Sequence, residues 1–276
     1  MILHCEKDMN KIEKLRKKFS ETEVSLPDTK DLKNFCFFIG FARSGHSFIG
    51  QLINAHENAL IGNEGRLFDV LKGQLSFSNV LKYLVFIDEK FASRKYYKKN
   101  GQDFNFAKLS QGNVHNLTCL GNSKAGYTRR HFYANPSLLD AYRSIIPGEV
   151  KFILVLRNPR DIVGSMMKRT GRDFQTALEE IQRSCEELEV VINLIKPDFQ
   201  VLEIVYENLL QDLPSSTLKI FSFLGLDLPP GFTEAVQEKI YQSPEKSRRF
   251  FDNIPNAEEH FQELTSKHAF FASYRN

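Results

Sequence analysis

Residues 35–50 read FCFFIGFARSGHSFIG. An apolar run of strand length ends at Gly40, a turn carries Gly45, and a helix-compatible run begins near His46. The spacing is that of the phosphate-gripping loop G-x-x-x-x-G-K-[ST], with His46 where the lysine would stand. In such a strand–turn–helix the backbone N–H groups of residues 43–47 point inward at one anion, and the helix N-terminus favours negative charge there. In a nucleoside triphosphatase the lysine reaches the β- and γ-phosphates and the following hydroxyl ligates Mg²⁺. Here the fixed charge is Arg43, and the loop suits a single phosphate bearing another anionic group.

Further apolar runs of strand length follow: NALIG (58–62), NLTCLG (116–121), KFILVL (151–156) and QVLEIVY (200–206). Continuous apolar strands are buried on both faces, so the pattern predicts an α/β three-layer sandwich around a parallel sheet of about five strands. Helices are expected at 47–56, 65–82, 136–146, 215–224 and 258–267. From Arg172 to Lys196, residues Phe174, Leu178, Ile181, Cys185, Leu188, Ile192 and Ile195 form one apolar stripe, the pattern of a helix packed on its own domain. A coiled-coil homodimer is the alternative use of that stripe.

The 276 residues, 42% of them hydrophobic, are enough for one domain with a substantial core. Within that single domain, residues 1–33 read as a peripheral helix and linker, and 88–111 as an insertion or lid. A net charge of +3 does not argue for a nucleic-acid partner, so any anion site is local. The four cysteines form no C-x-x-C pair, and no stretch has the roughly 18 consecutive apolar residues of a membrane span. With no signal-peptide core at the start, the expectation is a soluble cytoplasmic protein.

The strand KFILVL runs into Arg157-Asn158-Pro159-Arg160-Asp161, where a triphosphatase would end a strand in a metal-holding aspartate. An arginine at the carboxyl end of a buried strand reads as a second anion site. Ser165, on the first turns of a helix starting near Asp161, adds a hydroxyl to it.

These stretches together resemble the sulfotransferases that use 3′-phosphoadenosine 5′-phosphosulfate (PAPS). FARSGHSFIGQLINAHENALIGNE is similar to their 5′-phosphosulfate loop and RNPRDIVGS to their 3′-phosphate motif. LGNSKAGYTRR resembles the segment carrying a catalytic lysine, and LEIVYENLLQDLPSSTLKIFSFLGLDLP a further family stretch, so the resemblance spans about residues 34–230. It implies a P-loop-like topology, PAPS as donor without a metal, and a hydroxyl (or amine) acceptor on a small molecule, carbohydrate or peptide. It further implies that Arg43, Ser44, Gly45, His46 and Ser47 hold the 5′-phosphate, and Arg157 and Ser165 the 3′-phosphate. Glu64 takes the general-base position and Lys124 that of the catalytic lysine, with Arg43 countering charge at the leaving oxygen. His46 departs from the usual serine or threonine and is a candidate to share the base role. Arg248 lies where relatives close a basic loop over the nucleotide, and Tyr206 and Glu207 are expected to orient the sheet end. The rival readings are a P-loop kinase or triphosphatase, and a protein that binds the product nucleotide 3′-phosphoadenosine 5′-phosphate (PAP) without catalysis.

Overall fold

The computed structural model describes residues 2–92, 106, 109, 114, 116–237 and 244–275. Five strands, β1 (Asn34–Gly40), β2 (Ala59–Gly62), β3 (Cys119–Asn122), β4 (Glu149–Leu156) and β5 (Gln200–Val205), form one sheet in the order β2-β3-β1-β4-β5. Every neighbouring pair is parallel. All seven residues of β1 are buried, which is why this central strand reads as an unbroken apolar run.

Successive residues of a strand face opposite sides. Phe35, Phe37 and Ile39 accordingly join one hydrophobic cluster, and Cys36 and Phe38 join another across the sheet. The helices are α1 (Ile2–Glu21), α2 (His46–Asn54), α3 (Leu67–Val70), α4 (Phe77–Ala92), α5 (Ala125–Ala134), α6 (Leu138–Ile145), α7 (Pro159–Thr170), α8 (Phe174–Ile195), α9 (Tyr206–Gln211), α10 (Leu213–Leu224), α11 (Phe232–Gln237) and α12 (Ala257–Lys267). Residues of α4, α5 and α8 supply the first cluster, and residues of α2, α9 and α10 the second, giving three layers.

The stripe on α8 is spent inside the chain: Phe174, Leu178, Ile181, Cys185, Leu188, Ile192 and Ile195 are all buried in the first cluster. α1 is docked by Phe19, whose ring meets Tyr83 edge-on at 5.4 Å.

Two expectations are corrected. The helix foreseen over 65–82 is two helices, α3 and the start of α4, separated at Gly73, whose φ of +80° no helix accommodates. Residues 88–92, expected to open an insertion, belong to α4, and Asp88 is buried, accepting a 2.8 Å hydrogen bond from Asn54. Most of the remaining lid expectation lies outside the described residues, although Phe106 is buried against Phe48.

Candidate active site

The sheet delivers the predicted residues to one edge in spatial order. Glu64 follows β2, Lys124 follows β3, the Arg43 loop follows β1 and Arg157 follows β4, all at the carboxyl ends of adjacent strands. Ligands of open α/β sheets gather there. Strand register does the fine positioning. Gly62 pairs with Asn122, so Glu64 and Lys124, each two residues further on, emerge side by side. Lys124 Nζ donates to the Glu64 carbonyl at 3.3 Å and stands 4.0 Å from its carboxylate. Gly40 pairs with Val155, which brings the Arg157 guanidinium to the Arg43 carbonyl at 3.0 Å.

The loop from β1 to α2 turns on Gly45. Gly45 is left-handed (φ +97°) and caps α2 with no side-chain hydrogen bond. The first amides of a helix have no i−4 partner within it, and the N-cap glycine has no side chain to take them up. A β-carbon on Gly45 would lie 2.3 Å from the Tyr206 ring, and the Arg157 guanidinium lies over that same ring, 5.0 Å from its centroid. Loop glycine, tyrosine and arginine are therefore in register. Among the described residues only Arg43, Glu64 and Asn256 adopt positive φ without being glycine, at +68°, +59° and +60°. Two of these three are predicted site residues. Such conformations cost about 1–3 kcal/mol each and cluster where function requires them.

Arg43 Nε donates to Ser165 Oγ at 3.1 Å, joining the loop to the second motif. Ser165 is buried on α7, which starts at Pro159 and is capped by Asn158, whose side chain accepts from the Arg160 amide at 3.0 Å. Glu207 fixes this corner: one carboxylate oxygen accepts from the Asn158 amide at 2.9 Å, the other from the Tyr274 hydroxyl at 2.6 Å.

Two predicted contacts are otherwise engaged. The Ser44 hydroxyl is fully buried and donates to the Phe41 carbonyl at 2.8 Å, so it shapes the loop and does not reach into it. Arg248 makes a two-pronged pair with buried Asp161, at 2.7 and 3.1 Å. That pairing braces α7, against which the Ser247 carbonyl also packs at Gly164. Ser47 Oγ is 3.4 Å from the Glu64 carboxylate, which is 39% exposed.

Burial sets the protonation of the two basic groups beside Glu64. It lowers the Lys124 ammonium below the ordinary lysine range, and the Glu64 carboxylate opposes that shift. His46 is buried with Nδ1 lacking a hydrogen-bond partner, and desolvation lowers it to about 4, against the attraction of Glu64 and with the repulsion of Arg43 and Lys124. It is neutral at pH 7.

Sequence reasoning missed what holds the site together. Ser123 Oγ donates to Asn63 Oδ1 at 3.0 Å, tying the ends of β2 and β3 beneath Glu64 and Lys124. Arg129 on α5 is 1% exposed; Nη1 donates to the Gly40 carbonyl at 2.9 Å, and Nε pairs with Glu187 of α8 at 3.0 Å. A buried arginine on a short helix leaves no local signal, since both partners are distant in the chain.

The architecture is an α/β fold, a five-stranded parallel sheet whose central strand leads through a glycine turn into α2. The family model described as "Sulfotransferase domain" matches residues 34–273, and the chain belongs to that family. No curated protein matches it. Solved structures to which it is similar include the sulfotransferase domain of a Synechococcus olefin synthase (16% identity, 87% of each chain covered, TM-score 0.44). Others are a sulfotransferase domain from the curacin biosynthetic pathway (14%, 86% of this chain and 98% of that one, 0.49) and a mouse sulfotransferase complexed with PAP (15%, 88% and 86%, 0.45). Among the described residues no helix is long and apolar enough to cross a membrane, and no group of three or more His, Cys, Asp or Glu could hold a metal ion.

Proposed function

We propose that the chain transfers the sulfuryl group of PAPS to a hydroxyl acceptor, with Glu64 as general base and Lys124 as electrostatic partner. The observation that carries this reading is the pairing of Lys124 with Glu64 beside a loop whose helix N-terminus lacks a side-chain cap. The residues present fit the donor. The loop amides and Arg43 suit its 5′-phosphate, and Arg157 with Ser165 suits a separate 3′-phosphate one strand away.

When bound, PAPS supplies the sulfuryl group. Glu64, still partly open to solvent, accepts the acceptor's hydroxyl proton. Lys124 opposes the negative charge that leaves with the nucleotide, and partial burial strengthens that interaction. Arg43, fixed from one side by Ser165 and from the other by Arg157 at its own carbonyl, holds its charge at the loop without reorganisation. His46 is buried and, depressed to about 4, is neutral near pH 7. It fills the helix start where a P-loop lysine would stand.

The test is transfer from radiolabelled PAPS to a panel of phenolic, carbohydrate and peptide hydroxyls, comparing wild type with Glu64→Gln. The reading predicts transfer to at least one class, a loss of roughly 10²–10⁴-fold in the variant, and unchanged PAP affinity. Full activity in Glu64→Gln refutes the base assignment.

A further inference from the structure

A second concentration of positive charge lies outside the donor site. A cleft of about 400 Å³ opens between α1 and the turn from α3 to α4, within the range of small-molecule pockets. Four cations line it, Arg16, Lys17, Lys72 and Lys82, together with the amides of Gln74 and Asn79. No carboxylate is among its lining residues. In a chain whose net charge is only +3, four cations around one concavity are not an average sample of the surface.

Several of these groups are held in place before any ligand arrives. The Arg16 guanidinium is tied to the Asp69 carbonyl through both Nε (3.1 Å) and Nη2. Lys82 Nζ rests over the Phe19 ring, 5.2 Å from its centroid, a cation–π contact that fixes the ammonium above an apolar floor. Asn79 Nδ2 donates to the Gln74 carbonyl at 2.7 Å, which shapes the turn around Gly73. Among the described residues Lys72 and Lys82 have no carboxylate partner, while Lys17 makes only an exposed contact with Glu21 at 3.8 Å. Like charges gathered around one concavity without counter-charges raise the local potential and draw anions.

We propose that this cleft is an anion-binding site for a small molecule carrying a phosphate or sulfate group. Lys72 and Lys82 are its charge contacts, and Gln74 and Asn79 its hydrogen-bonding amides. The site is separate from the donor loop: α1 lies wholly before residue 34, where the family match begins, so one wall is built by a segment outside the family's domain. The proposal does not depend on the sulfuryl-transfer reading.

Inorganic pyrophosphate is the probe, titrated into ¹⁵N-labelled protein at low ionic strength and followed by NMR. The expected result is saturable shifts at Ser20, at residues 72–79 and at the side-chain amides of Gln74 and Asn79. Those shifts should weaken at least tenfold in Lys72→Gln/Lys82→Gln and fade with added salt. Both substitutions are on partly or fully exposed side chains, and an unchanged melting temperature verifies the fold. Arg16 is left intact because it anchors α1 to α3. Shifts confined to the loop at residues 43–47, no saturable shifts, or shifts that survive the double substitution would overturn the proposal.

Discussion

Replacing Arg129 by methionine keeps most of its volume and removes its charge. The guanidinium is 1% exposed and serves two partners, the Gly40 carbonyl at 2.9 Å and the Glu187 carboxylate at 3.0 Å. Its loss strands a carboxylate in the interior and a carbonyl where β1 enters the glycine turn. Breaking a buried pair from one side costs about 3–5 kcal/mol. Arg183, 3.9 Å from the other Glu187 oxygen but 58% exposed, compensates in part, so the lower end applies, about 3 kcal/mol. For a chain of this size that is a fall of roughly 6–12 °C in melting temperature. The double variant Arg129→Met/Glu187→Leu removes the stranded charge and leaves only the unpaired carbonyl, a cost of about 1–3 kcal/mol. Urea denaturation of wild type, single and double variants checks this, and the double is expected to be the more stable of the two variants. A single variant costing under about 1 kcal/mol, or a double no more stable than the single, refutes the argument that a buried charge is being held.

Further outcomes follow from the same geometry. Gly45→Ala forces a β-carbon to 2.3 Å from the Tyr206 ring at a left-handed φ, so calorimetry should show PAP binding lost at least tenfold, with a measurable fall in stability. His46, depressed to about 4 when folded against about 6.5 unfolded, contributes stability that is complete above pH 6.5 and is lost as pH falls through 4. The loss is about 3 kcal/mol, and His46→Gln should flatten that limb in denaturation curves taken across pH. Asp88 has the opposite sign: burial raises it to about 6, so its contribution is present below pH 3.8 and lost as pH rises through 6. Asp88→Asn, which keeps an acceptor for Asn54, should therefore stabilise the fold at pH 7 by about 2–3 kcal/mol and leave it unchanged near pH 4.

The sheet was legible because strands buried on both faces appear as continuous apolar runs, FCFFIG above all. β3 shows where that signal stops. The run NLTCLG begins at 116, yet the ladder begins at Cys119, because the amides of Leu117 and Thr118 go to the carbonyls of Asp28 and Asn58. Periodicity carried the reading of 65–82 straight through Gly73, since an apolar stripe does not report backbone φ. Within the site, the loop and Arg157 were readable from strand ends, and Glu64 and Lys124 through resemblance. Their adjacency was not readable, because it rests on the register of Gly62 with Asn122. Nor was the commitment of Ser44 to Phe41, of Arg248 to Asp161, or of Arg129 to Gly40, contacts that side-chain direction and tertiary packing decide.

The most direct test of the donor site is calorimetric titration with PAP against ADP, without Mg²⁺, on wild type and Arg157→Ala. Arg157 reaches the loop at the Arg43 carbonyl and stacks on Tyr206, so its loss removes one partner of a desolvated contact. The account predicts tight PAP binding, weak ADP binding, and a loss of about 2 kcal/mol or more of PAP affinity in the variant. ADP binding as tightly as PAP, or PAP binding unchanged in Arg157→Ala, would contradict it.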